Sequence, residues 1–246
     1  MPKDFAKHTL LAEYGNKDNI DKIFEKHGNE IAAVVVEPAG GNYGVIPPDE
    51  DFLKHIRKIT KKYKSVLIFD EVITGFRFAP STLADILGIE PDLYCLGKII
   101  GGGLPVGAYG GSKKIMRHLA PEGEVYQAST FGGNPVVVRS GIAALKALVK
   151  NKKRYKELEE RAEDVAAALV EEGAKNGLEP RVVVYGSMFS IKFENKAEFK
   201  KFYKILLKEG VFFAPSEYEA NFISFAHEER DFKKTRAAIR KAMRLK

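Results

Sequence analysis

Two residues near the middle of the chain have the types and the setting to do chemistry together. Asp70 closes the apolar run Val66-Leu67-Ile68-Phe69 and is followed by Glu71. Lys98 closes a second run, Leu93-Tyr94-Cys95-Leu96-Gly97, and leads into Gly101, Gly102 and Gly103. Continuous apolar runs bounded by turn residues read as buried strands of a parallel sheet, and ligands in such sheets bind beyond the carboxyl ends of the strands. A lysine buried there is costly to keep charged, and a neutral amine attacks carbonyl carbons. A carboxylate beside a nitrogen heterocycle keeps the ring nitrogen protonated, so that the ring takes up electrons from a breaking bond. The plainer reading is an Asp–Lys ion pair, or a capping aspartate with a lysine that reaches for solvent. Spacing alone leans toward that plainer reading.

The elements that must position this pair follow from periodicity. Ile31–Val36 reads as a buried strand ending at Glu37-Pro38, and Ala39–Pro48 as a loop rich in Gly and Pro. Asp49–Lys62 has Phe52, Ile56 and Ile59 at helical spacing behind an acidic first turn. With the Asp70 strand this makes a βαβ unit. Asn16–Gly28 reads as a helix capped by Asp18 or Asn19, Ser81–Leu87 as a short helical stretch, and Val106–Gly111 as a strand or extended segment. Lys113–Leu119 and Asn134–Leu148 read as helices, with Pro135 near the first turn of the second.

Composition shifts near Val149. Asn151–Glu172 alternates charges about an apolar seam of Leu158, Val165 and Leu169, a long amphipathic helix. Arg181–Tyr185, Met188–Phe193, Val211–Phe213 and Phe222–Phe225 read as strands, Ala197–Glu209 and Arg230–Arg244 as helices. The expected organisation is an α/β domain over residues 1–149 and a small α+β domain over residues 150–246.

Composition narrows the function classes. The net charge of +7 is spread over mixed-sign helical faces with no basic stripe interleaved with aromatics, so neither nucleic acid nor membrane is expected as a partner. One cysteine permits no intrachain disulfide, which suits a reducing cytoplasm, and no run approaches membrane-spanning length. The five histidines are dispersed without ligand spacing, so no metal site is expected. Ser129-Thr130-Phe131-Gly132-Gly133-Asn134-Pro135 offers hydroxyls and N–H groups ahead of a helix, either an anion cradle or an ordinary cap. Glu219, in a turn before an apolar strand, is ambiguous by itself, and His227 reads as structural or capping.

Read together, LIFDEVITGF and CLGKIIGGGLPVGAYGG resemble the class III, fold-type I aminotransferases, which use pyridoxal 5′-phosphate. PKDFAKHTL, VEPAGGNYGVIPP, VYQAST and APSEYEANFISFAH resemble segments of the family's aminomutase branch in the expected order. The resemblance implies Lys98 as the catalytic lysine that bonds the cofactor and moves protons, and Asp70 as partner of the ring nitrogen. It implies that Val72 packs on one ring face, that Thr130 reaches the cofactor phosphate of a neighbouring subunit, and that Glu219 lies near the substrate amines. Many class III members carry a glutamine three residues after the aspartate; here that residue is Ile73, and Asn42 stands where the aminomutase branch has an asparagine that contacts the cofactor instead.

The implied reaction is internal amine exchange on a small amino-aldehyde. STFGGNP departs from the aminomutase pattern toward ω-amino-acid transaminases. The chain begins at a stretch matching the family's middle, so the implied large domain is partial. A homodimer, or a second chain supplying the N-terminal half, is the expected partner, and a non-catalytic scaffold is the third alternative.

Overall fold

The computed structural model describes residues 2–244, which divide into two units. The first comprises residues 2–38, Pro48–Phe76 and Ser81–Leu145. Its helices are α1 (Lys3–Ala6), α2 (Lys17–His27), α3 (Glu50–Tyr63), α4 (Leu83–Leu87) and α5 (Lys113–Met116). Its strands are β1 (Ala33–Val36), β2 (Val66–Asp70), β3 (Leu93–Gly97) and β4 (Gly107–Gly111), paired in that order. β1, β2 and β3 run parallel, and β4 returns antiparallel on β3.

Side chains alternate across a strand, and this decides which face β2 covers. Leu67 and Phe69 enter a core built with Ile20 and Phe24 of α2, Phe52, Leu53, Ile56 and Ile59 of α3, and Ala84 and Ile89. Val66, Ile68 and Asp70 take the opposite parity and are half-buried. Val34, Val36 and Tyr94 also pack on the helical core, whereas Val35 is 64% exposed. Only one face of the sheet is therefore closed by helices of this unit. That corrects two expectations: Ile31–Val36 is not a fully buried strand, and the strand before Lys98 is half-buried over Leu93–Leu96. An apolar run reports that both faces of a strand avoid water, not that this chain covers both.

α6 (Pro135–Lys150) carries the chain out of the first unit. Asn134 caps it, its Oδ1 accepting from Val136 and Val137 N–H at 3.0 and 3.3 Å. The cap of α2 is Asn16, whose side chain accepts from Asn19 N–H, rather than Asp18 or Asn19. Asn16 stands outside the first turn, where its oxygen reaches the N3 donor.

The second unit holds Ala39–Pro47, Arg77–Pro80 and residues 146–244. It contains α7 (Arg154–Lys175), β5 (Arg181–Tyr185), β6 (Met188–Lys192), α8 (Lys196–Lys208), β7 (Asn221–Phe222) and α9 (Glu229–Ala242). The antiparallel sheet β5-β6-β7 packs through Phe189 and Ile191 on Leu158, Ala162, Val165 and Leu169 of α7, Phe202 and Leu206 of α8, and Ile239 of α9. Val211–Phe213, read as a strand, buries Val211 and Phe213 and exposes Phe212, but lies outside the three-stranded sheet. Alternating burial is the same in an extended segment with or without a ladder partner. Among the described residues no helix is long and apolar enough to cross a membrane.

Candidate active site

The parallel pairing of β2 and β3 sets Asp70 level with Cys95. Both strands point their carboxyl ends to one edge of the sheet, so Lys98, just past β3, emerges at the edge where Asp70 ends β2. Asp70 Oδ1 accepts from Val72 N–H at 3.1 Å, an aspartate turn that folds the chain back at once. Val72 packs over Gly97, where an added Cβ would lie 3.2 Å from Val72 Cγ1. Asp70, Val72 and the approach to Lys98 thus form one cluster. Beside it, burial and then the Asp70 carboxylate push the Cys95 thiol up.

Lys98 opens a 3₁₀ turn, Lys98–Gly101, with φ of 46°. This left-handed conformation is uncommon for a residue with a side chain and marks stored strain of the kind found at functional sites. The glycines after it have a steric cause. An added Cβ on Gly102, at φ 59°, would strike the Ser140 backbone, and one on Gly141 would strike the Ile100 carbonyl. Ser140 Oγ donates to the Gly102 carbonyl at 2.9 Å. The close approach that the glycines serve is to α6. Lys98 itself is exposed, as in the plainer reading of a lysine that reaches for solvent, and the open sheet face leaves its amine in water among the described residues.

The neighbour of Asp70 behaves oppositely. Glu71 is fully buried: Oε2 accepts from Leu83 N–H at 2.5 Å and from Thr74 Oγ1 at 3.1 Å, and Oε1 from Ala84 N–H at 2.9 Å. Burial pushes its carboxyl up, while the Ala84 and Leu83 N–H groups and the Thr74 hydroxyl hold it back. Sequence reasoning assigned Glu71 no role. The available signal was an acid inside an apolar segment with a hydroxyl three residues on.

Two other candidates come together in the second unit. Asn42 lies in a loop pinched by the Gly40–Ile46 bridge, and Glu219 in the turn before β7. Gly44 N–H donates to the Tyr218 carbonyl at 2.8 Å, and the rings of Tyr43 and Tyr218 lie 4.9 Å apart. Val45 N–H donates to Ser190 Oγ at 3.0 Å, fixing the loop to β6. The loop of Asn42 and the turn of Glu219 are therefore one fixture, with both side chains exposed. Tyr43, Gly44 and Tyr218, which make the joint, were not singled out from sequence. Thr130 is exposed in the turn ahead of α6. No cluster of three metal-ligating side chains occurs among the described residues.

An amine and a carboxylate at one sheet edge, with an apolar side chain between them, are a donor set that fits a charged aromatic heterocycle bearing a carbonyl. Comparison with known proteins agrees. The family model "Aminotransferase class-III" matches residues 5–228. The chain belongs to that family.

Among class-III relatives, the glutamate-1-semialdehyde 2,1-aminomutase of Aquifex aeolicus is 44% identical over 257 residues, covering 99% of this chain and 60% of the relative. An omega-transaminase structure from Sphaerobacter thermophilus superposes with a TM-score of 0.90 at 28% identity, over 98% of this chain and 58% of that one. A transaminase solved with PLP bound gives the same TM-score of 0.90 at 23% identity, over 98% and 58% of the two chains, and shows the shared fold. The chain spans about three-fifths of the length of the class-III proteins it matches. Its partial, mostly parallel sheet belongs to the fold-type I architecture.

Proposed function

We propose that the chain carries the lysine-bearing part of a glutamate-1-semialdehyde 2,1-aminomutase, which exchanges amine positions within its substrate to give 5-aminolevulinate, the tetrapyrrole precursor. The observation that carries the reading is Asp70 level with Cys95, which brings the carboxylate and the Lys98 amine to one edge. The 44% identity to an aminomutase supports the choice of reaction.

Pyridoxal 5′-phosphate, when bound, supplies a ring that accepts the electron pair released as a substrate C–H bond breaks. The Asp70 carboxylate would hold the proton on the ring nitrogen, and the Val72–Gly97 contact would offer an apolar surface to one ring face. Lys98 Nζ would bond the cofactor and serve as the acid–base group for the proton transfers that the ring makes possible; an amine does this when it is neutral and shielded from water. Asn42 would contact the cofactor oxygen that a glutamine reaches in many class-III proteins, and Ile73, where that glutamine would stand, is buried at 6% exposure. Glu219 would serve the substrate amines, and Thr130 would donate to the cofactor phosphate held by a neighbouring subunit.

The open face supports a further polypeptide in the complete site. Val35 and Tyr109 on the sheet, and Phe131, Val136, Val138 and Ile142 before and along α6, are exposed apolar side chains. Several large apolar side chains left in water on one unit are the kind of surface an interface covers. A second copy of the chain, or a polypeptide equivalent to the two-fifths of the relatives that the chain does not match, covers it and shields Lys98. The single free cysteine suits a cytoplasmic setting.

A second reading, an ω-amino-acid transaminase, is favoured by the STFGGNP segment and by the Sphaerobacter likeness, and opposed by Ile73 with Asn42. Adding pyridoxal phosphate to the purified chain should give a visible absorption band that Lys98→Ala lacks. Conversion of glutamate-1-semialdehyde without an added amino donor or keto acid supports the aminomutase. A requirement for added keto acid transfers the assignment to the transaminase, and absence of any Lys98-dependent band rules out both enzyme readings for this chain by itself.

A further inference from the structure

We propose that Glu71 is a positioning residue, whose buried carboxylate ties the chain after Asp70 to the first turn of α4 and so fixes Asp70 and Val72 beside Lys98. The inference rests on the cofactor reading of Asp70 and Lys98.

A carboxylate with no exposed surface persists only if its lone pairs are satisfied. Here every donor comes from outside β2: the Thr74 hydroxyl and the N–H groups of Leu83 and Ala84. α4 has its own reciprocal cap, Thr82 Oγ1 accepting from Asp85 N–H and Asp85 Oδ2 from Thr82 N–H. The donors left over in its first turn are those of Leu83 and Ala84, and Glu71 takes both. The side chain thus closes the loop between β2 and α4.

The main chain of Glu71 is fixed too. Its N–H donates to the Cys95 carbonyl at 2.9 Å, continuing the β2–β3 pairing one step past Asp70. Its carbonyl accepts from Gly75 N–H at 2.9 Å, and an added Cβ on Gly75 would press on Leu96 Cδ2. Asp70 and Val72 flank this anchored residue, so neither moves relative to β3 while Glu71 holds. With no exposed surface, Glu71 does not touch substrate or cofactor. Its effect passes through its neighbours.

Glu71→Gln keeps the shape but turns an NH₂ group toward N–H or O–H donors. Thr82→Ala is the control, since it weakens the cap of α4 without touching Glu71. Two signals are read: amide hydrogen exchange at Val72, whose N–H is held by Asp70, and the affinity for pyridoxal phosphate with the pH midpoint of the Lys98-dependent band. Expected for Glu71→Gln is Val72 exchange about tenfold faster and cofactor binding roughly tenfold weaker with a displaced midpoint, the scale of one buried hydrogen bond lost. Thr82→Ala should leave both near wild type. Thr74→Val, which removes only the hydroxyl donor, should move both signals in the same direction by less, and it decides the matter if Glu71→Gln does not fold. Equal effects from Glu71→Gln and Thr82→Ala, or no effect of either Glu71→Gln or Thr74→Val at Val72, overturn the inference. A wild-type chain with no Lys98-dependent band instead defeats the cofactor reading, and Val72 exchange still decides whether Glu71 anchors the segment.

Discussion

Lys98 and Gly102 bracket one turn, and both take left-handed backbone, at φ 46° and 59°. Gly102 adopts it freely and uses its missing side chain to meet Ser140 of α6; Lys98 adopts it against its own Cβ. The strain sits on the residue assigned to the chemistry.

Lys98→Gly should therefore stabilise the chain, by about 1 kcal/mol, the usual cost of left-handed backbone for a residue with a Cβ. Urea denaturation of the two proteins measures the difference. The same variant should lose the visible band with pyridoxal phosphate, so stability and chemistry move in opposite directions at this position.

Two glycines with positive φ should respond differently to alanine. Gly88, the residue after α4, has φ 63° and open space around an added Cβ, so Gly88→Ala costs roughly 1 kcal/mol from backbone strain alone. Gly44 has φ 79°, and its Cβ would come within 3.3 Å of Ser190 Oγ, the acceptor for Val45 N–H. Gly44→Ala should exceed Gly88→Ala in thermal denaturation, and it alone should disturb the joint between the Asn42 loop and the Glu219 turn.

Ile73→Gln tests the distinction between the two class-III reactions. Ile73 is buried, so a glutamine there places an amide where an alkyl group was and should cost about 1–3 kcal/mol. No gain in transamination with added keto acid is expected. A stable Ile73→Gln protein with new transaminase turnover would move the assignment to the ω-transaminase.

The pH dependence of stability should carry the signature of Glu71. Its carboxyl is raised above the ordinary 4.5 in the folded chain, chiefly by burial. Below the ordinary value it is protonated in both states. As pH rises, the unfolded chain releases this proton more readily, so the contribution of Glu71 is complete at low pH and declines through the folded value. The stability difference between wild type and Glu71→Gln should therefore shrink as pH rises above the ordinary 4.5 in urea denaturation.

Much of the fold was legible because its signals are local. The Asp70 and Lys98 strands, the helix behind Asp49 and the Pro135 helix all announce themselves through period and caps. What sequence could not supply was the identity of the covering layer. Val34-Val35-Val36 reads as uniformly buried, yet only its alternate residues meet helices of this unit. The same limit applies at the site: the apolar run before Lys98 suggested burial that the described residues do not provide. Glu71 was hard to read for another reason: Thr74 stands only three residues on, but the Leu83 and Ala84 N–H donors lie beyond a whole loop. The joint between Tyr43 and Tyr218 spans most of the chain and leaves no periodic trace.

Cys95 gives the open face a built-in reporter. It is the single thiol of the chain, half-buried and level with both Asp70 on β2 and Tyr109 on β4. Its rate of alkylation therefore measures how much of that face is sheltered, with no label added. A polypeptide that docks there, or a cofactor seated beside Asp70, registers as a slower reaction at one sulfur atom. Assembly of the site becomes a question that a single reagent and a clock can follow.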